Sequence, residues 1–591
     1  MCGIAGVLLK SGNADPEILE RMMRSLAHRG PDGSGKFAKG GRGLAHTRLA
    51  IIDLETGDQP LTGGDGNVLI ANGEIYNFVE LRRDFGAELF KTKSDCEVAL
   101  PLIARDGPKF GASLRGMYAI AAIQPGAGHT YLARDPFGIK PLYYMEDQRG
   151  VFFASEPKAL FAAGVIEPEL DPKVRDEFLQ LQFTSGAETI YRGVRRLLPG
   201  ETLTVEDGAV TVRARRDALP SGAPQPISEA DAVKRIGEAL MDSVMVHQRS
   251  DVPYGMFLSG GIDSSVILAC MRELNERPVE AFTAGFSGTG VSDERAHAKY
   301  VAAAAGANFH PVEFSEADFW SLLPSVAAAF DDPVADYAIL PTYKLGMTAR
   351  EHDLKVVLSG EGGDEMFAGY SRYRRVLRPW WLGGRRMRQR GILDGLDLLR
   401  GAPGDWRANL AKSEAAAALP GRTKLQIAQA IDCAEWLPND LLLKLDRCLM
   451  AHGVEGRTPM LDPEVAKVAV SLPDGLKVKG GQGKYILRKW LSENLPEAEP
   501  FAAKRGFTVP VAEWIGAQGR RIGALVAGAD GIGEICDPGR VTDLFAGLEG
   551  NLARHHGQAA WILLFYAIWH RIHMQGVPAE GDAFDVLTAA V

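Results

Sequence analysis

The sequence predicts a two-domain chain, with an α+β first domain and an α/β second domain. Its 591 residues are too many for one hydrophobic core, and 46% of them are hydrophobic, which is enough for two cores. The first part of the chain reads as short strands separated by turns. From residue 228 the hydrophobic period becomes helical, and strands then alternate with helices, which is typical of a doubly wound parallel sheet.

We expect the first domain to span residues 1–205, a linker residues 206–227 and the second domain residues 228–591. The linker assignment rests on a proline-rich segment that ends at Pro226. Strands are predicted at residues 115–123, 130–133, 151–154, 254–258, 278–286, 308–314 and 355–358.

The first candidate for chemistry is Cys2. Removal of Met1 would leave a thiol and a free α-amine on one residue. An α-amine with a pKa of roughly 7.7 to 8.0 can accept the proton of a thiol whose pKa is about 8.5. A cysteine at this position can also be an accident of sequence, but the next hundred residues favour a catalytic nucleophile.

Those residues carry groups suited to an amino-acid substrate. A thiolate that attacks an amide needs an oxyanion hole, which the Asn72 side chain and the Gly73 backbone N–H can supply. The substrate α-carboxylate needs an arginine and its α-ammonium needs a carboxylate, and Arg48 and Asp95 can fill these roles. The apolar residues 49–54 that follow Arg48 are predicted to form a strand.

Two neighbouring segments allow a structural interpretation as well. Residues 28–32 form a turn in which Arg29 is either a site residue or a structural ion-pair partner. Residues 94–97 open a helix-like run, and we expect Cys96 there to be a buried small residue without a reactive role.

A second site begins at residues 259–265, Ser-Gly-Gly-Ile-Asp-Ser-Ser, between a predicted strand and a predicted helix. Small residues let backbone N–H groups approach an anion, and the helix N-terminus adds partial positive charge. Since no Gly-Lys-Ser or Gly-Lys-Thr follows the glycines, this is not a Walker loop, and ADP is disfavoured as a product.

A carboxylate-rich loop at residues 359–365 follows another predicted strand. Carboxylates repel a triphosphate unless Mg²⁺ bridges the two, and Asp263 and Asp364 are our candidates for holding the metal. Glu361 would then be free to orient an incoming ammonia or to accept its proton. Lys484 would bring positive charge to the phosphates, with simple solvent exposure as the alternative.

These segments resemble known families. Met1-Cys2-Gly3, HRGPD, TRLAIID, NGEIYN and KSDCE resemble, in this order, the N-terminal-nucleophile glutaminase domain of class II glutamine amidotransferases. SGGIDSS resembles the pyrophosphate-binding loop of ATP pyrophosphatases. From Cys2 to about Trp569 the chain resembles the glutamine-hydrolysing class B asparagine synthetases, most weakly between Trp380 and Arg422. The resemblance implies an αββα-sandwich glutaminase domain followed by a doubly wound ATP pyrophosphatase domain.

The resemblance also implies a reaction. ATP activates aspartate as β-aspartyl-AMP with release of pyrophosphate, and ammonia from glutamine passes through an internal tunnel to give asparagine and AMP. Cys2 is then the nucleophile, Asn72 and Gly73 form the oxyanion hole, and Glu361 and Lys484 serve the second site.

The binding residues follow from the same resemblance. Glutamine is expected to contact Arg48, Leu49, Ile51, Ile52, Asn72, Gly73, Glu74 and Asp95. ATP is expected to contact Leu258, Ser259, Gly260, Gly261, Asp263, Ser264, Ala284, Ser359 and Gly360. Most members carry valine or isoleucine where this chain has Ala284, a departure that concerns the packing of adenine.

Composition limits the partners. A net charge of −9 argues against nucleic acid, and no segment reaches the roughly 18 apolar residues of a membrane span. Six cysteines without paired spacing fit a reducing compartment. We therefore expect a cytoplasmic protein with glutamine, aspartate and ATP as small-molecule substrates, without nucleic-acid or membrane partners, and with a homodimer as one candidate assembly.

Three functions stay open. The first is asparagine synthetase, and the second is the same chemistry on another carboxylate, such as a peptide, a sugar acid or an envelope precursor. Residues 331–336 and the loop around Arg374 would decide between these two. The third is a catalytically silent regulator that senses ATP, glutamine or an anionic surface, against which the intact Cys2, Asp263 and Lys484 argue.

Two regions keep local alternatives. Residues 372–390 contain eight arginines among Tyr373, Trp380 and Trp381, and we interpret them as a solvated helical face with its aromatic side chains packed inward. A nucleic-acid or anionic-membrane patch is the alternative. Segments 444–447, 455–459 and 461–462 resemble family motifs near the active site, and they either contact substrate or pair and cap helices.

Overall fold

The computed structural model describes residues 2–286, 294–502, 509–548 and 554–590, so the expected removal of Met1 concerns a residue outside the described ones. The first domain contains two six-stranded antiparallel sheets. Their strands are β1 (Gly3–Leu9), β2 (Gly33–Lys39), β3 (Arg42–Arg48), β4 (Leu61–Thr62), β5 (Val68–Ile75), β6 (Gly116–Gln124), β7 (His129–Arg134), β8 (Tyr143–Glu146), β9 (Gly150–Ala154), β10 (Arg195–Arg196), β11 (Glu201–Glu206) and β12 (Ala209–Arg215).

The sheets have the orders β10-β8-β9-β1-β3-β2 and β12-β11-β7-β6-β5-β4. They pack face to face because alternate apolar residues of both, such as Ile4, Ile70 and Leu132, are buried in a shared core. The helices of this domain are α1 (Pro16–Ser25), α2 (Phe78–Phe85), α3 (Ala99–Asp106), α4 (Pro157–Ala162) and α5 (Pro172–Leu181). Since α1 and α4 pack on one sheet and α3 packs on the other, the predicted αββα sandwich is confirmed.

The second domain is built on a parallel sheet. Its strands are β13 (Tyr254–Phe257), β14 (Glu280–Phe286), β15 (Asn308–Phe314), β16 (Val356–Leu358) and β17 (Glu455–Arg457), in the order β15-β14-β13-β16-β17. The chain runs outward from β13 in one direction and then returns to continue with β16, so the order reverses between these two strands. Ligands bind at such a switch point in doubly wound sheets, and both predicted phosphate loops follow these two strands.

Helices cover both faces of this sheet, which confirms the doubly wound arrangement. The helices of the second domain are α6 (Glu229–His247), α7 (Ile262–Leu274), α8 (Arg295–Ala304), α9 (Glu316–Ala329), α10 (Ile339–Glu351), α11 (Gly363–Phe367), α12 (Ser371–Leu377), α13 (Ala408–Ala417), α14 (Lys424–Ile431), α15 (Leu442–Met450), α16 (Pro463–Ser471), α17 (Asp474–Lys477), α18 (Tyr485–Asn494), α19 (Val511–Ala517), α20 (Gly519–Gly528), α21 (Asp530–Gly533), α22 (Pro538–Ala546), α23 (Arg554–His573) and α24 (Ala583–Thr588). A π-helical segment, Asp432–Leu441, leads into α15.

The predicted strand at residues 49–54 is wrong. Strand β3 ends at Arg48, and the chain then turns irregularly. Asp53 adopts a left-handed φ of 57°, and its carboxylate accepts hydrogen bonds from the backbone N–H groups of Thr56 and Lys93. These side-chain contacts replace the ladder that an extended segment would need.

Asn72, Gly73 and Glu74 lie inside β5, which continues to Ile75 and pairs with β6 over its whole length. The boundary of the linker differs from expectation. The range 206–227 assigned to the linker contains β12, which pairs with β11. The second sheet of the first domain therefore extends to Arg215.

The domains meet through buried ion pairs. Arg29 of the first domain donates to both carboxylate oxygens of Asp446 at 2.8 and 3.0 Å. Arg196 donates to both oxygens of Asp332 at 2.8 Å each. All four side chains are buried, so the charges on each side neutralise those on the other. Arg29 thus forms a buried ion pair, and its Nε also donates a 3.1 Å hydrogen bond to the carbonyl oxygen of Cys2, so it has both a structural contact and a contact with the first candidate site.

Candidate active sites

Cys2 lies at the entrance to β1, buried between the two sheets of the first domain. Its backbone N–H donates a 3.1 Å hydrogen bond to Oδ1 of Asn72. Burial raises the pKa of the Cys2 thiol, whereas a hydrogen bond from the backbone of Leu49 acts in the opposite direction. The thiol therefore needs a nearby base to become a nucleophile.

The Asn72 amide faces the same space. Its Oδ1 is used by Cys2, and its Nδ2 has no hydrogen-bond partner among the described residues, although it is buried. A buried donor without an acceptor is costly, and oxyanion holes supply such donors. Gly73 beside it pairs closely with β6, where an added Cβ would lie 2.1 Å from the Met117 carbonyl oxygen. Strand pairing alone therefore requires a glycine at this position.

The expected carboxylate ligand Arg48 is already paired. Its guanidinium donates to the exposed carboxylate of Asp58 at 2.8 Å and to the carbonyl oxygen of Asp53. These bonds hold the irregular segment that contains Leu49, Ile51 and Ile52. Because Asp58 is 80% exposed, a substrate carboxylate could take its place at modest cost.

A pair of buried carboxylates lies on the other side of this pocket. Asp95 accepts a 2.7 Å hydrogen bond from the backbone N–H of Ile75, and Glu74 is buried beside it. Burial, followed by the charges of Asp95 and Glu455, raises the pKa of Glu74 well above its usual value. The pocket is therefore suited to a cationic group such as an α-ammonium.

The second domain reaches the buried carboxylates near Cys2, which the sequence did not predict. Strand β17 brings Arg457 within 3.4 Å of Glu74, measured between Nη2 and Oε1, and Nε of Arg457 donates to Glu455 at 2.6 Å. Both β17 side chains are fully buried. Their only sequence signal was membership of a motif at residues 455–459, which did not indicate to which of the two sites it belongs.

The second site is a cavity of about 680 Å³ at the carboxyl ends of β13 and β16. Each predicted nucleotide residue lines it, namely Leu258, Ser259, Gly260, Gly261, Asp263, Ser264, Ala284, Ser359 and Gly360. Glu361, Asp364 and Lys484 also line it, so the structure brings the expected residues of this site together. Lys444 and Arg488 are further charged residues of the wall.

Lys484 does not extend into solvent. It is buried, and its Nζ lies 2.5 Å from Asp263 and 2.8 Å from Asp364. Burial disfavours the ammonium, but the two carboxylates together raise the pKa of Lys484 above its ordinary value. Gly369 makes this approach possible, since an added Cβ there would lie 2.2 Å from Cε of Lys484. The Lys484 ammonium group thus pairs with both Asp263 and Asp364, the carboxylates that we expected to bind the metal.

Glu361 pairs with a lysine that the sequence did not assign. Nζ of Lys444 lies 3.4 Å from Oε1 of Glu361 and 3.2 Å from Asp336. Lys444 is buried on α15, and the two carboxylates raise its pKa despite the opposing effect of burial. Of the residues expected to select the acceptor, Asp336 therefore lies beside the cavity, whereas Asp331 and Asp332 are buried in ion pairs with Arg447 and Arg196.

The arginine-rich stretch splits into inward and outward residues. Arg372 donates to Asp432 at 2.8 Å, and Arg388 lies 4.0 Å above the ring of Trp436. Tyr373 is buried as expected, but Trp381 is 68% exposed, so the expectation that the aromatic side chains pack inward is wrong for that residue. The side chain of Trp380 is outside the described part of the structure.

Two features of the described residues bear on membranes and metal ions. No helix in this part of the chain is long and apolar enough to cross a membrane. Within the same residues, no three His, Cys, Asp or Glu side chains are arranged to hold a metal ion by themselves.

Comparisons with known proteins match both halves of the chain. A family model described as asparagine synthase matches residues 235–571, and one described as a glutamine amidotransferase domain matches residues 1–215. Asparagine synthetase (glutamine-hydrolyzing) 1 of Bacillus subtilis is 33% identical over an alignment of 623 residues that covers 97% of each chain. Asparagine synthetase B (glutamine-hydrolyzing) of Escherichia coli is 30% identical over 546 residues, or 87% of this chain and 83% of that protein.

A solved structure of the allosteric regulatory enzyme of purine biosynthesis aligns with a TM-score of 0.29 and 18% identity, over 53% of this chain and 80% of that one, a likeness too slight to bear on the fold. The sequence matches, by contrast, extend over nearly the whole chain and over both sites described above. The chain belongs to the family of glutamine-dependent asparagine synthases, and it is an enzyme.

Proposed function

We propose that this enzyme transfers ammonia from glutamine to the side-chain carboxylate of aspartate, with ATP as the activating substrate and β-aspartyl-AMP as the intermediate. The observation that carries the proposal is the single cavity in which both glycine-containing loops, two carboxylates and Lys484 converge. Family membership supports the use of glutamine and ATP.

In the first half-reaction, Sγ of Cys2 attacks the amide carbon of glutamine. A thioester forms, ammonia leaves, and water then hydrolyses the thioester to glutamate. Once Met1 is removed, the nitrogen bound to Oδ1 of Asn72 is the α-amine that accepts the thiol proton. The remaining Asn72 donor, Nδ2, stabilises the oxyanion of the tetrahedral intermediate.

In the second half-reaction, the aspartate carboxylate attacks the α-phosphate of ATP and pyrophosphate leaves. Ammonia then attacks the acyl carbon and AMP leaves. Lys484 lies where it can pair with phosphate oxygens once a ligand competes for it, since both its carboxylate partners line the cavity. In this proposal Glu361 accepts the proton that ammonia loses, and its contact with Lys444 at the cavity wall supports this assignment.

The residues present fit a magnesium ion. Mg²⁺ is commonly bound by one or two carboxylates together with substrate phosphates and waters. Asp263 and Asp364 face the same cavity and share one cation, so they would hold the metal when ATP brings its phosphates. Bound Mg²⁺ would neutralise phosphate charge and so make the phosphorus more open to attack.

The test is product identification with the whole enzyme incubated with glutamine, ATP, Mg²⁺ and aspartate. We expect asparagine, glutamate, AMP and pyrophosphate in equal amounts. Stoichiometric ADP would contradict the adenylate. AMP formed with another carboxylate in a panel of peptides and sugar acids, but not with aspartate, would contradict the acceptor while leaving the chemistry intact.

A further inference from the structure

Strand β17 of the second domain lies between the two candidate sites. It pairs with β16 in parallel, with Arg457 opposite Leu358. The next residue, Ser359, begins the carboxylate-rich loop of the nucleotide cavity, and its backbone N–H donates a 2.8 Å hydrogen bond to the carbonyl oxygen of Arg457. The side chain of the same arginine reaches Glu74 in the glutaminase pocket. One residue therefore contacts both sites.

The guanidinium of Arg457 is fixed in place. Its Nη1 donates to the carbonyl oxygens of His247 and Arg249 at 2.8 and 2.7 Å, and its Nε donates to Glu455. The side chain is fully buried. Its Nη2 is left to face Glu74 across 3.4 Å, which is longer than a normal hydrogen bond. Such a contact orients the Glu74 carboxylate and leaves it capacity for a ligand.

Strand β17 is packed tightly against α15. Gly456, between the two charged residues, is in close contact with α15, where an added Cβ would lie 2.8 Å from Cγ of Leu445. Lys444, the preceding residue of α15, lines the nucleotide cavity. A shift of the Ser359 loop or of α15 on ligand binding would therefore be passed to β17, since packed elements respond as rigid bodies.

We propose that Arg457 is a positioning residue that orients Glu74 for glutamine and couples this orientation to occupancy of the nucleotide cavity. The inference rests on the proposed function of the two sites and adds the route between them. Arg457 acts by orienting Glu74 and does not itself contact the reacting atoms. Coupling of this kind is reciprocal, so glutamine binding would favour nucleotide binding by the same factor.

The pH dependence of kcat/KM for glutamine supplies an independent test of the contact between Arg457 and Glu74. The titratable and charged groups that face it are Cys2, Tyr76, Asp95, Cys96, Glu455 and Arg457. Burial and the neighbouring carboxylates raise the pKa of Glu74, and Arg457 opposes this rise. Only an ionised Glu74 pairs with an ammonium group. Removal of Arg457 should therefore move the acid limb of kcat/KM for glutamine to higher pH.

The experiment compares wild type with Arg457→Met, Arg457→Lys and Arg115→Met. Arg115 is a matched control, because it also joins the domains, through Asp242 and Asp462 at 2.6 and 2.8 Å, yet it lines neither site. Glutamate release is measured against glutamine concentration and pH, with and without saturating ATP, Mg²⁺ and aspartate. Ammonium-dependent synthesis is measured alongside, and thermal unfolding monitors the fold.

For Arg457→Met we expect the KM for glutamine to rise about tenfold to a hundredfold, as for loss of one charged contact, with kcat changed much less. In wild type, saturating nucleotide should lower this KM about fivefold or more, and the effect should vanish in Arg457→Met and return in part in Arg457→Lys. Arg115→Met should keep the wild-type KM, pH limb and nucleotide effect.

An unchanged KM and acid limb in Arg457→Met would overturn the positioning role. A wild-type KM for glutamine that is the same with and without ATP, Mg²⁺ and aspartate would overturn the coupling. Equal effects of Arg115→Met and Arg457→Met would overturn both the positioning role and the coupling, because a general loosening of the domain interface would then explain the results. If Arg457→Met fails to fold, Arg457→Lys and Glu455→Gln test the same orientation. Absence of glutamine hydrolysis in wild type would instead refute the proposed function.

Discussion

Asn72 receives the backbone N–H of Cys2 on its Oδ1 and leaves its buried Nδ2 without a partner among the described residues. In the proposed function this one amide would serve two purposes, because it would position Cys2 and present a donor to the oxyanion. Neither Cys2 nor Asn72 lines the nucleotide cavity, so these contacts belong to a separate site.

Cys2→Ala should abolish glutamine hydrolysis and leave ammonium-dependent synthesis intact, because Cys2 does not line the nucleotide cavity. Glutamate release and amide product from added ammonium are the two measurements. Cys96→Ala is the matched control, since Cys96 lies beside the same pocket and burial with the Asp95 charge raises the pKa of its thiol well above the usual value. Glutamate release by Cys2→Ala, or its loss in Cys96→Ala, would reassign the nucleophile.

Lys484→Ala and Glu361→Gln should separate the two steps of synthesis. Adenylation adds charge to phosphate oxygens, so loss of Lys484 should lower exchange of labelled pyrophosphate into ATP by about 10² to 10³. Glu361→Gln should retain appreciable aspartate-dependent exchange but form little amide, because ammonia arrives after the adenylate exists. Equal loss of exchange in both variants would place Glu361 in adenylation.

Asp263→Asn should raise the Mg²⁺ concentration needed for half-maximal pyrophosphate exchange about tenfold or more, the effect of losing one charged contact. Glutaminase activity should be unaffected. Asp318→Asn is a suitable control, because Asp318 pairs with Lys344 at 2.7 Å and does not line the cavity. A Mg²⁺ titration that does not distinguish Asp263→Asn from the control would exclude Asp263 as a ligand.

Glu177→Gln should stabilise the protein at neutral pH. Burial raises the pKa of Glu177 from 4.5 to about 7, so the folded state favours the protonated carboxyl. The unfolded state ionises first as pH rises, and wild type therefore loses stability between about pH 4.5 and 7, by up to about 3 kcal/mol. The melting temperature of Glu177→Gln minus that of wild type should be larger at pH 8 than at pH 5. A difference independent of pH would show that Glu177 ionises normally.

The nucleotide loops could be predicted from sequence because each is a continuous strand, turn and helix. The turn at residues 259–265 is closed by a local hydrogen bond, in which the backbone N–H of Ser259 donates to Oγ of Ser264 at 3.2 Å. The sheet then brings the second loop alongside, since β13 and β16 are neighbours. Local pattern and a parallel sheet were therefore sufficient to place these residues together.

Contacts between domains could not be predicted in this way. Glu74 and Arg457 belong to different domains, and no periodicity relates them. The strand predicted at residues 49–54 is absent for two reasons. The apolar alternation there reflects burial against the second domain, and Asp53, with its left-handed φ, bends the chain. The sequence left Lys444 open between a substrate contact and a helix pairing, because its partners, Glu361 and Asp336, come from two separate loops.

The paired charges Arg29–Asp446 and Arg196–Asp332 have a consequence for how the chain can be divided. Either half expressed alone would expose to water the polar and apolar groups that are buried at this interface, and it would lose the hydrogen bonds of both pairs. We therefore expect each half to be less stable alone than in the whole chain. The polypeptide should melt in one cooperative transition, and gene fragments that separate glutaminase from synthetase should regain activity only when the two are produced together.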